Sequence, residues 1–342
     1  NMDPRPDNCK LPQTEKPGMK IRNIAIIAHV DHGKTTLVDC LLHQSGLFRD
    51  NQQVAERAMD SNVLERERGI TILAKCTSVD WSGTRINIVD TPGHADFGGE
   101  VERILSMVDG VMILVDASEG PMPQTKFVLT KALSLNLNPI VIINKVDRSD
   151  QRADQVHDEI FDLFVALNAN EKQLDFPTLF ASAKNGWATA DLNSPSEDMA
   201  ALFDLIVKHV PPPNVNPGGG FSLLVTTLET DPYLGRVLTG RIQSGEVRQN
   251  MSIKALNRDS VKIEASRITK LLQFRGLERL PVEEAYAGDI VAIAGFQNAT
   301  VSDTLCDNSI TKALKALPID PPTLAMTFSI NDSPLAGTEG SK

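Results

Sequence analysis

The sequence is short of cysteine and of long hydrophobic runs. Its cysteines are widely separated and form no Cys-x-x-Cys pair of the kind that suggests zinc: Cys9, Cys40, Cys76 and Cys306. Such sparse, unpaired cysteines favour a reduced, cytoplasmic setting. No apolar run reaches the roughly eighteen residues that a membrane helix needs, so we expect no membrane partner. Residues 1–18 are polar and lack the apolar segment of a secretory signal, and we expect a dispensable, disordered leader or cloning remnant there.

Positive charge is also in the minority. The 342 residues include 34 lysines and arginines against 44 aspartates and glutamates, which gives a net charge of −10. This balance argues against broad, nonspecific binding to nucleic acid. A hydrophobic content of 41% with 23% charged residues is ordinary for a globular protein. The length is sufficient for about two domains, each with a core of its own.

Strand-like and helix-like patterns alternate from residue 19 to about residue 212, which we expect to be the first domain. The predicted strands are 23–28, 74–81, 85–90, 111–116, 139–144 and 178–182. The predicted helices are 34–44, 99–108, 124–135, 152–167 and 197–209. Several strands are continuous apolar runs, which indicates burial on both faces of a sheet. The pattern predicts an α/β domain with a doubly wound, mostly parallel sheet, and it places ligands at the carboxyl ends of the strands.

Prolines and glycines predict a linker at residues 213–220, and the pattern of predicted elements changes after it. Beyond it, short β-rich segments separated by turns predict an all-β barrel over 221–315. The predicted strands there are 222–229, 236–243, 251–256, 260–272 and 289–294. A strand-like run then follows a second proline-rich stretch. Since a lone strand is not a domain, we expect 316–342 to be a linker and the truncated start of a third domain.

The stretch at 28–36 reads Ala-His-Val-Asp-His-Gly-Lys-Thr-Thr, between a predicted strand and a predicted helix. This arrangement is typical of a phosphate-binding loop, although alanine replaces its usual first glycine. Backbone N–H groups and the helix N-terminus would cradle anionic oxygens. Lys34 would reach the β- and γ-phosphates, and the Thr35 hydroxyl would bind Mg²⁺. The candidate phosphate-binding residues are Asp31, His32, Gly33, Lys34, Thr35 and Thr36.

A second motif, Asp-Thr-Pro-Gly-His at 90–94, follows the predicted strand 85–90. Asp90 at the strand end can hold Mg²⁺ through a water, and the Gly93 N–H can sense a γ-phosphate. His94 is placed near the position of an attacking water. The long polar stretch at 47–71 precedes this region, and a loop of that length inside a compact domain is usually functional or mobile.

Two further motifs also follow predicted strands, and together they fit a guanine base. In Asn-Lys-Val-Asp at 144–147, the Asp147 carboxylate can accept from N1–H and the exocyclic amine of guanine, a donor pair that adenine lacks. Asn144 can brace the loop, and the stem of Lys145 can pack over the base. In Ser-Ala-Lys at 182–184, the N–H of Ala183 would point toward guanine O6. The candidate base-binding residues are Asn144, Lys145, Asp147, Ser182, Ala183 and Lys184.

Each motif is short, but all of them, in this order and at strand ends, resemble those of a translational GTPase. Arg-Gly-Ile-Thr at 68–71 completes the set of guanine-nucleotide motifs. Within this superfamily the chain is similar to the BipA (also called TypA) family. The supporting stretches are 59–75, 94–103, 120–125, 173–177 and 271–276.

The resemblance implies an enzyme that hydrolyses GTP to GDP and phosphate when the ribosome stimulates it. Mg²⁺ would be held by Thr35, by Asp90 through a water and, in the GTP state, by Thr71. His94 would orient and polarise the attacking water. No arginine finger is evident, so unaided turnover is expected to be slow.

Two finer features and a set of partners are implied by the same resemblance. Val30 and Ile70 match the apolar pair, or hydrophobic gate, that fences off His94 before activation. Asp31 matches a position that in similar GTPases can bind a monovalent cation near the phosphates. The expected partner is the ribosome, contacted mainly through domains beyond this chain, with tRNA contact in the full-length protein. We expect a cytoplasmic monomer that acts in large-subunit assembly and in growth in the cold or under stress.

Three alternatives stay open at this stage. The first is a translation factor similar to LepA or elongation factor G. The second is a nucleotide-dependent binding switch whose hydrolysis is negligible. The third, an ATP-using P-loop enzyme, is disfavoured because the 144–147 motif has no use there.

Overall fold

The computed structural model of the chain describes residues 20–46, 74–92, 98–194, 196–276, 278–317, 326, 327 and 329. The leader and most of 318–342 lie outside these residues, as do four predicted site residues, Ile70, Thr71, Gly93 and His94. None of the described helices is both long enough and apolar enough to cross a membrane.

The first domain contains a seven-stranded sheet in the described part of the chain. Its strands are β1 Lys20–Ala28, β2 Lys75–Trp81, β3 Thr84–Asp90, β4 Gly110–Asp116, β5 Asn138–Asn144, β6 Thr178–Ser182 and β7 Trp187–Thr189. Their order is β2-β3-β1-β4-β5-β6-β7. The five inner strands are parallel, and β2 and β7 run antiparallel at the two edges. The described helices are α1 Lys34–Gln44, α2 Gly98–Leu105, α3 Pro123–Ser134, α4 Ala153–Ala166, α5 Glu171–Leu174 and α6 Ala200–His209.

Strand β4 shows why the inner strands are continuous apolar runs. Met112 and Leu114 belong to the hydrophobic core on one face of the sheet, which α1 and α6 cover. Val111, Ile113 and Val115 belong to the core on the other face, under α2, α3 and α4. Because successive side chains of a strand point to opposite faces, both must be apolar where helices cover both. The prediction of a doubly wound, mostly parallel α/β domain is confirmed.

The second domain is entirely β-structure among the described residues. Its strands are β8 Ser222–Asp231, β9 Gly235–Ser244, β10 Glu246–Arg248, β11 Ser252–Leu256, β12 Lys262–Arg267, β13 Lys270–Arg275, β14 Glu278–Pro281, β15 Glu284–Tyr286, β16 Ile290–Ala294 and β17 Thr304–Cys306. The main sheet is antiparallel in the order β12-β11-β17-β8-β9-β16-β13-β14, and β10 pairs separately with β15. Only two residues join β12, at one edge, to β13, next to the other edge. The sheet must therefore curl until its two sides meet.

The prediction of one strand over 260–272 is wrong. The chain turns at Ile268 and Thr269, which separate β12 from β13. Ile268 N–H donates to the Met251 carbonyl over 3.1 Å, and Thr269 N–H donates to the Ala294 carbonyl over 2.9 Å. These bonds tie the corner to strands on both sides, and the Ile268 side chain is fully buried there.

The outer strand of the first sheet, β2, is bonded to the second domain. Gly276 N–H donates to the Ser78 carbonyl over 2.9 Å, and the Ser78 hydroxyl donates to the Phe274 carbonyl over 2.5 Å. Arg275 forms an ion pair with Asp80 of the same strand. The second domain therefore continues the hydrogen bonding of the first sheet beyond its edge.

A group of buried polar side chains lies between the domains, and we call it the seam: Asn23, Arg85 and Asn87 of the first domain, and Gln273 and Asp289 of the second. The Asp289 carboxylate lies 3.5 Å from Arg85 Nη1 and accepts from Gln273 and from Asn87 Nδ2, the latter over 3.4 Å. Asn87 also donates to Asn23 Oδ1 over 2.8 Å. Burial lowers the pKa of Arg85 to about 10, and the charge of Asp289 opposes this shift. The seam thus holds a buried cation against a buried anion contributed by the other domain.

Candidate guanine-nucleotide site

The loop between β1 and α1 has the backbone shape of an anion cradle. Asp31 and Gly33 both adopt left-handed conformations, with φ of 64° and 93°. A Cβ atom on Gly33 would come within 2.5 Å of Asn144 Nδ2, so the close approach of these two loops requires glycine. The Leu37 N–H donates to the Gly33 carbonyl over 2.9 Å and begins the helix. The N-terminus of α1 is therefore directed at the loop.

Lys34 and Asp90, predicted to act near the phosphates and the metal, meet in the structure. Lys34 Nζ lies 2.5 Å from Asp90 Oδ1 and donates to the Thr91 carbonyl over 3.0 Å. The Thr91 hydroxyl donates to the Ile26 carbonyl over 2.6 Å, which ties the end of β3 to β1. The ammonium group and the carboxylate thus converge where two parallel strands end.

The oxygen ligands offered here fit Mg²⁺. The Asp90 side chain is 4% exposed and already faces a cation, and a carboxylate is a hard ligand of the kind that Mg²⁺ prefers. No group of three or more metal-binding side chains converges among the described residues. Mg²⁺ commonly takes one or two protein oxygens and completes its shell with phosphates and water.

The His32 side chain turns away from the cradle into the protein. It is fully buried, and its Nδ1 lies 3.3 Å from the Asp116 nitrogen and 3.4 Å from the Leu114 carbonyl. Its Nε2 lies 3.2 Å from Glu119 Oε2. Burial lowers the pKa of His32 below its ordinary value. His32 is therefore neutral at physiological pH, and only its backbone faces the loop interior.

Asn144 joins the two loops that the sequence assigns to phosphate and to base. Its Nδ2 donates to the His32 carbonyl over 2.9 Å, and its Oδ1 accepts from the Ala183 N–H over 3.0 Å. The residue is 1% exposed. One amide side chain therefore fixes the spacing between the phosphate-binding loop and the Ser-Ala-Lys loop.

Lys145 also reaches the phosphate-binding loop. Its ammonium donates to the Asp31 carbonyl over 2.6 Å and lies 2.8 Å from Asp116 Oδ2. Burial by itself would raise the pKa of Asp116, but hydrogen bonds from Lys145 and Ser118 outweigh burial and lower the pKa to about 2. Asp116 is therefore a buried anion at any ordinary pH.

The remaining predicted residues lie around this centre. Asp147, Lys184 and Thr36 are exposed, Val30 and Thr35 are half-buried, and Ser182 is buried. The Ser182 carbonyl accepts from the N–H groups of Asn185 and Gly186 over 3.1 and 2.8 Å, which closes the turn after β6. Ile70, Thr71, Gly93 and His94 belong to the same set but lie outside the described residues.

The sequence analysis missed Asp116, Ser118 and Glu119. All three lie at or just after the carboxyl end of β4, where ligand-binding residues of such sheets collect. That position was the available signal, since 111–116 was a predicted strand.

The comparisons with known proteins cover both domains. The family described as "Elongation factor Tu GTP binding domain" matches residues 19–212, and "Elongation factor Tu domain 2" matches residues 235–306. A solved structure from Thermus thermophilus has a TM-score of 0.65 at 19% identity, over 88% of this chain and 57% of that one, so it supports the fold.

Curated relatives carry the name "Large ribosomal subunit assembly factor BipA". The protein of Buchnera aphidicola is 55% identical over 95% of this chain and 53% of its own length. That of Bacillus subtilis is 55% identical over 94% and 52%, and that of Escherichia coli K12 is 54% identical over 94% and 53%. The chain spans about half the length of these relatives. They do not favour the alternative of a LepA-like or elongation-factor-G-like protein. The chain therefore belongs to the GTPase family of the elongation factor Tu GTP binding domain, and the resemblance to BipA that its motifs indicate is confirmed.

Proposed function

We propose that this chain is the GTP-binding and GTP-hydrolysing part of a ribosome-associated translational GTPase that acts in assembly of the large ribosomal subunit. The supporting observation is the pair of hydrogen bonds from Asn144 to His32 and Ala183, which makes the base-reading and phosphate-binding loops one site. The biological setting rests on relatives named as large-subunit assembly factors.

The nucleotide would extend from the helix N-terminus of α1 to the ends of β5 and β6. The proposed phosphate-binding residues are Asp31, His32, Gly33, Lys34, Thr35, Thr36 and Gly93. The proposed base-binding residues are Asn144, Lys145, Asp147, Ser182, Ala183 and Lys184. The exposed Asp147 carboxylate is open to pair with the N1–H and amine of guanine, and this pairing would exclude adenine.

Hydrolysis would depend on positioning and charge neutralisation. Thr35, Thr71 and, through a water, Asp90 are the residues proposed to hold Mg²⁺, which when bound would neutralise negative charge on the phosphates. His94 is the proposed catalytic residue and orients the attacking water. Val30 and Ile70 are the proposed gate that keeps His94 away until the ribosome acts. A monovalent cation beside Asp31 is a further proposed component.

The proposed partners follow from the family. They are rRNA and ribosomal proteins, with tRNA contact in the longer protein, and the proposed state is a cytoplasmic monomer. The net charge of −10 indicates that this chain contributes little to binding RNA. We propose a first domain at 19–212, a linker at 213–220, a second domain at 221–315 and the start of a third at 316–342. On this division, the basic ribosome-binding surface lies in the remaining half of the protein.

Calorimetry with GTP, GDP and ATP in the presence of Mg²⁺ tests the nucleotide assignment. We expect GTP and GDP to bind this chain and ATP to release no heat of binding, because the Asp147 carboxylate finds no donor pair on adenine. Equal binding of ATP and GTP, or of neither, would refute the proposed function.

The enzymatic step is tested with the full-length protein and purified ribosomes. We expect slow GTP hydrolysis alone and faster hydrolysis with ribosomes, and the His94→Ala variant should lose the stimulation while its GTP affinity stays nearly unchanged. Full stimulation of that variant would remove His94 from the mechanism. A wild-type protein that ribosomes bind but never stimulate would instead favour the binding switch.

A further inference from the structure

Strands β4 and β5 end side by side, with Asp116 opposite Asn144 in the parallel register. The residue directly after β5 is Lys145, whose backbone adopts a left-handed φ of 65°. This conformation is unusual for a residue with a long side chain.

The Lys145 ammonium has one partner on each side. On one side it donates to the Asp31 carbonyl over 2.6 Å, and on the other it lies 2.8 Å from Asp116 Oδ2. Its Cε lies 4.0 Å from where a Cβ of Gly33 would be, so the stem runs beside the phosphate-binding loop. The side chain is 29% exposed, and its charged end is the part that is fixed.

Asp116 is itself rigidly oriented. Its side chain is wholly buried, and its Oδ1 accepts from both the N–H and the hydroxyl of Ser118 over 2.7 Å each. These two bonds leave Oδ2 directed at Lys145, with Arg148 Nη1 further away at 3.7 Å. A buried carboxylate with defined donors is a precise anchor for an ammonium group.

We propose that Asp116 is a positioning residue of the guanine-nucleotide site, which anchors the Lys145 ammonium against the Asp31 carbonyl and thereby slows nucleotide release. Asp116 is proposed to act only through Lys145 and not by contact with the base or the γ-phosphate. Its replacement should therefore change the release rates of GDP and GTP equally. The inference rests on the proposed function, because it assumes that the nucleotide contacts these loops.

The first test is the dissociation rate of a fluorescent GDP and a fluorescent GTP from the whole chain, measured by stopped flow. Asp116→Asn should accelerate both releases by about tenfold, the effect of one charge-assisted hydrogen bond. The matched control is Asp150→Asn, which breaks an exposed ion pair with Arg148 in the same loop and should change the rates by less than about twofold.

A double-mutant cycle separates positioning through Lys145 from a general loss of structure. In a Lys145→Met background, Asp116→Asn should add less than about a twofold change, because its target is gone. Ser118→Ala, which only loosens Asp116, should accelerate release by about two- to threefold in the wild-type background and leave it unchanged beside Lys145→Met. This milder variant keeps the test decisive if Asp116→Asn does not fold.

The outcomes distinguish the inference from the function on which it rests. Wild-type protein that binds no fluorescent GDP would refute the proposed function. Two outcomes would refute only the role of Asp116, provided that wild-type protein binds fluorescent GDP normally. In the first, the variants release GDP at the wild-type rate. In the second, Asp116→Asn accelerates release by the same factor in the wild-type and the Lys145→Met backgrounds.

Discussion

Replacement of Asn144 by alanine should both destabilise the first domain and weaken nucleotide binding. The side chain makes two hydrogen bonds, 2.9 Å to the His32 carbonyl and 3.0 Å from the Ala183 N–H, and it is 1% exposed. A buried partner left without its hydrogen bond costs about 1–3 kcal/mol. The His32 carbonyl and the Ala183 N–H lie in loops that water can enter once the amide is removed. The cost for each of them is therefore at the low end of this range, about 1 kcal/mol. We expect a loss of about 2–3 kcal/mol in the free energy of unfolding.

The Asn144→Asp variant separates the two bonds. It keeps an oxygen that accepts from Ala183 N–H but sets a second oxygen against the His32 carbonyl, in place of the donor. Repulsion is then added to the lost bond, so this isosteric change should cost at least as much as Asn144→Ala. The suitable control is Asn185→Ala, since Asn185 is exposed in the Ser-Ala-Lys loop.

The appropriate assay is urea unfolding of the whole chain, with and without GDP, in which the transition of the first domain is followed. The stabilisation that GDP gives to wild type should shrink in both Asn144 variants, because the two loops that contact it are no longer held together. An Asn144→Ala protein within about 0.5 kcal/mol of wild type, with unchanged stabilisation by GDP, would refute the bracing role of this amide.

Three further predictions concern the base, the seam and the buried histidine. Asp147→Asn should shift nucleotide preference from GTP toward XTP in competition binding, and unchanged GTP affinity would place the base elsewhere. Asp289→Asn should lower the free energy of unfolding by about 3 kcal/mol, because the buried Arg85 loses its anion across the seam; a loss below about 1 kcal/mol would contradict this. The pKa of His32 is lowered in the folded protein, so the unfolded chain takes up its proton first, and stability should fall as pH decreases below about 6.5. His32→Gln should reduce the pH dependence of the free energy of unfolding, measured with urea from pH 7.5 to 5.5. Some dependence should remain, because burial also lowers the pKa of His209. An unaltered pH dependence would count against a buried, neutral His32.

Much of the first domain could be predicted because its elements leave strong patterns. Helix 34–44 and strand 178–182 have the predicted bounds, since the helix buries an apolar face and the strand buries the apolar side chains of Leu179 and Ala181. The three-residue strand β7 and the four-residue helix α5 were missed, because neither is long enough to show a period.

The burial of polar residues at the domain boundary could not be predicted from the sequence. Asn23, Arg85 and Asn87 are polar residues inside apolar strands, and only the second domain explains their burial. Asn23 donates to the Gly288 carbonyl across a separation of 265 residues, which no local pattern reveals. Asp116 is a similar case on a smaller scale, because its contact with Lys145 depends on the order of β4 and β5 in the sheet.

The bonds between β2 and the second domain matter to anyone who shortens this protein. A first domain expressed without its neighbour would leave the backbone of Ser78 unpaired by Gly276 and the polar side chains of β2 and β3 uncovered. An open strand of this kind recruits other chains and promotes aggregation. The solubility of the first domain therefore depends on the second domain as well. A shortened protein is better ended after the second domain than in the proline-rich segment at 213–220.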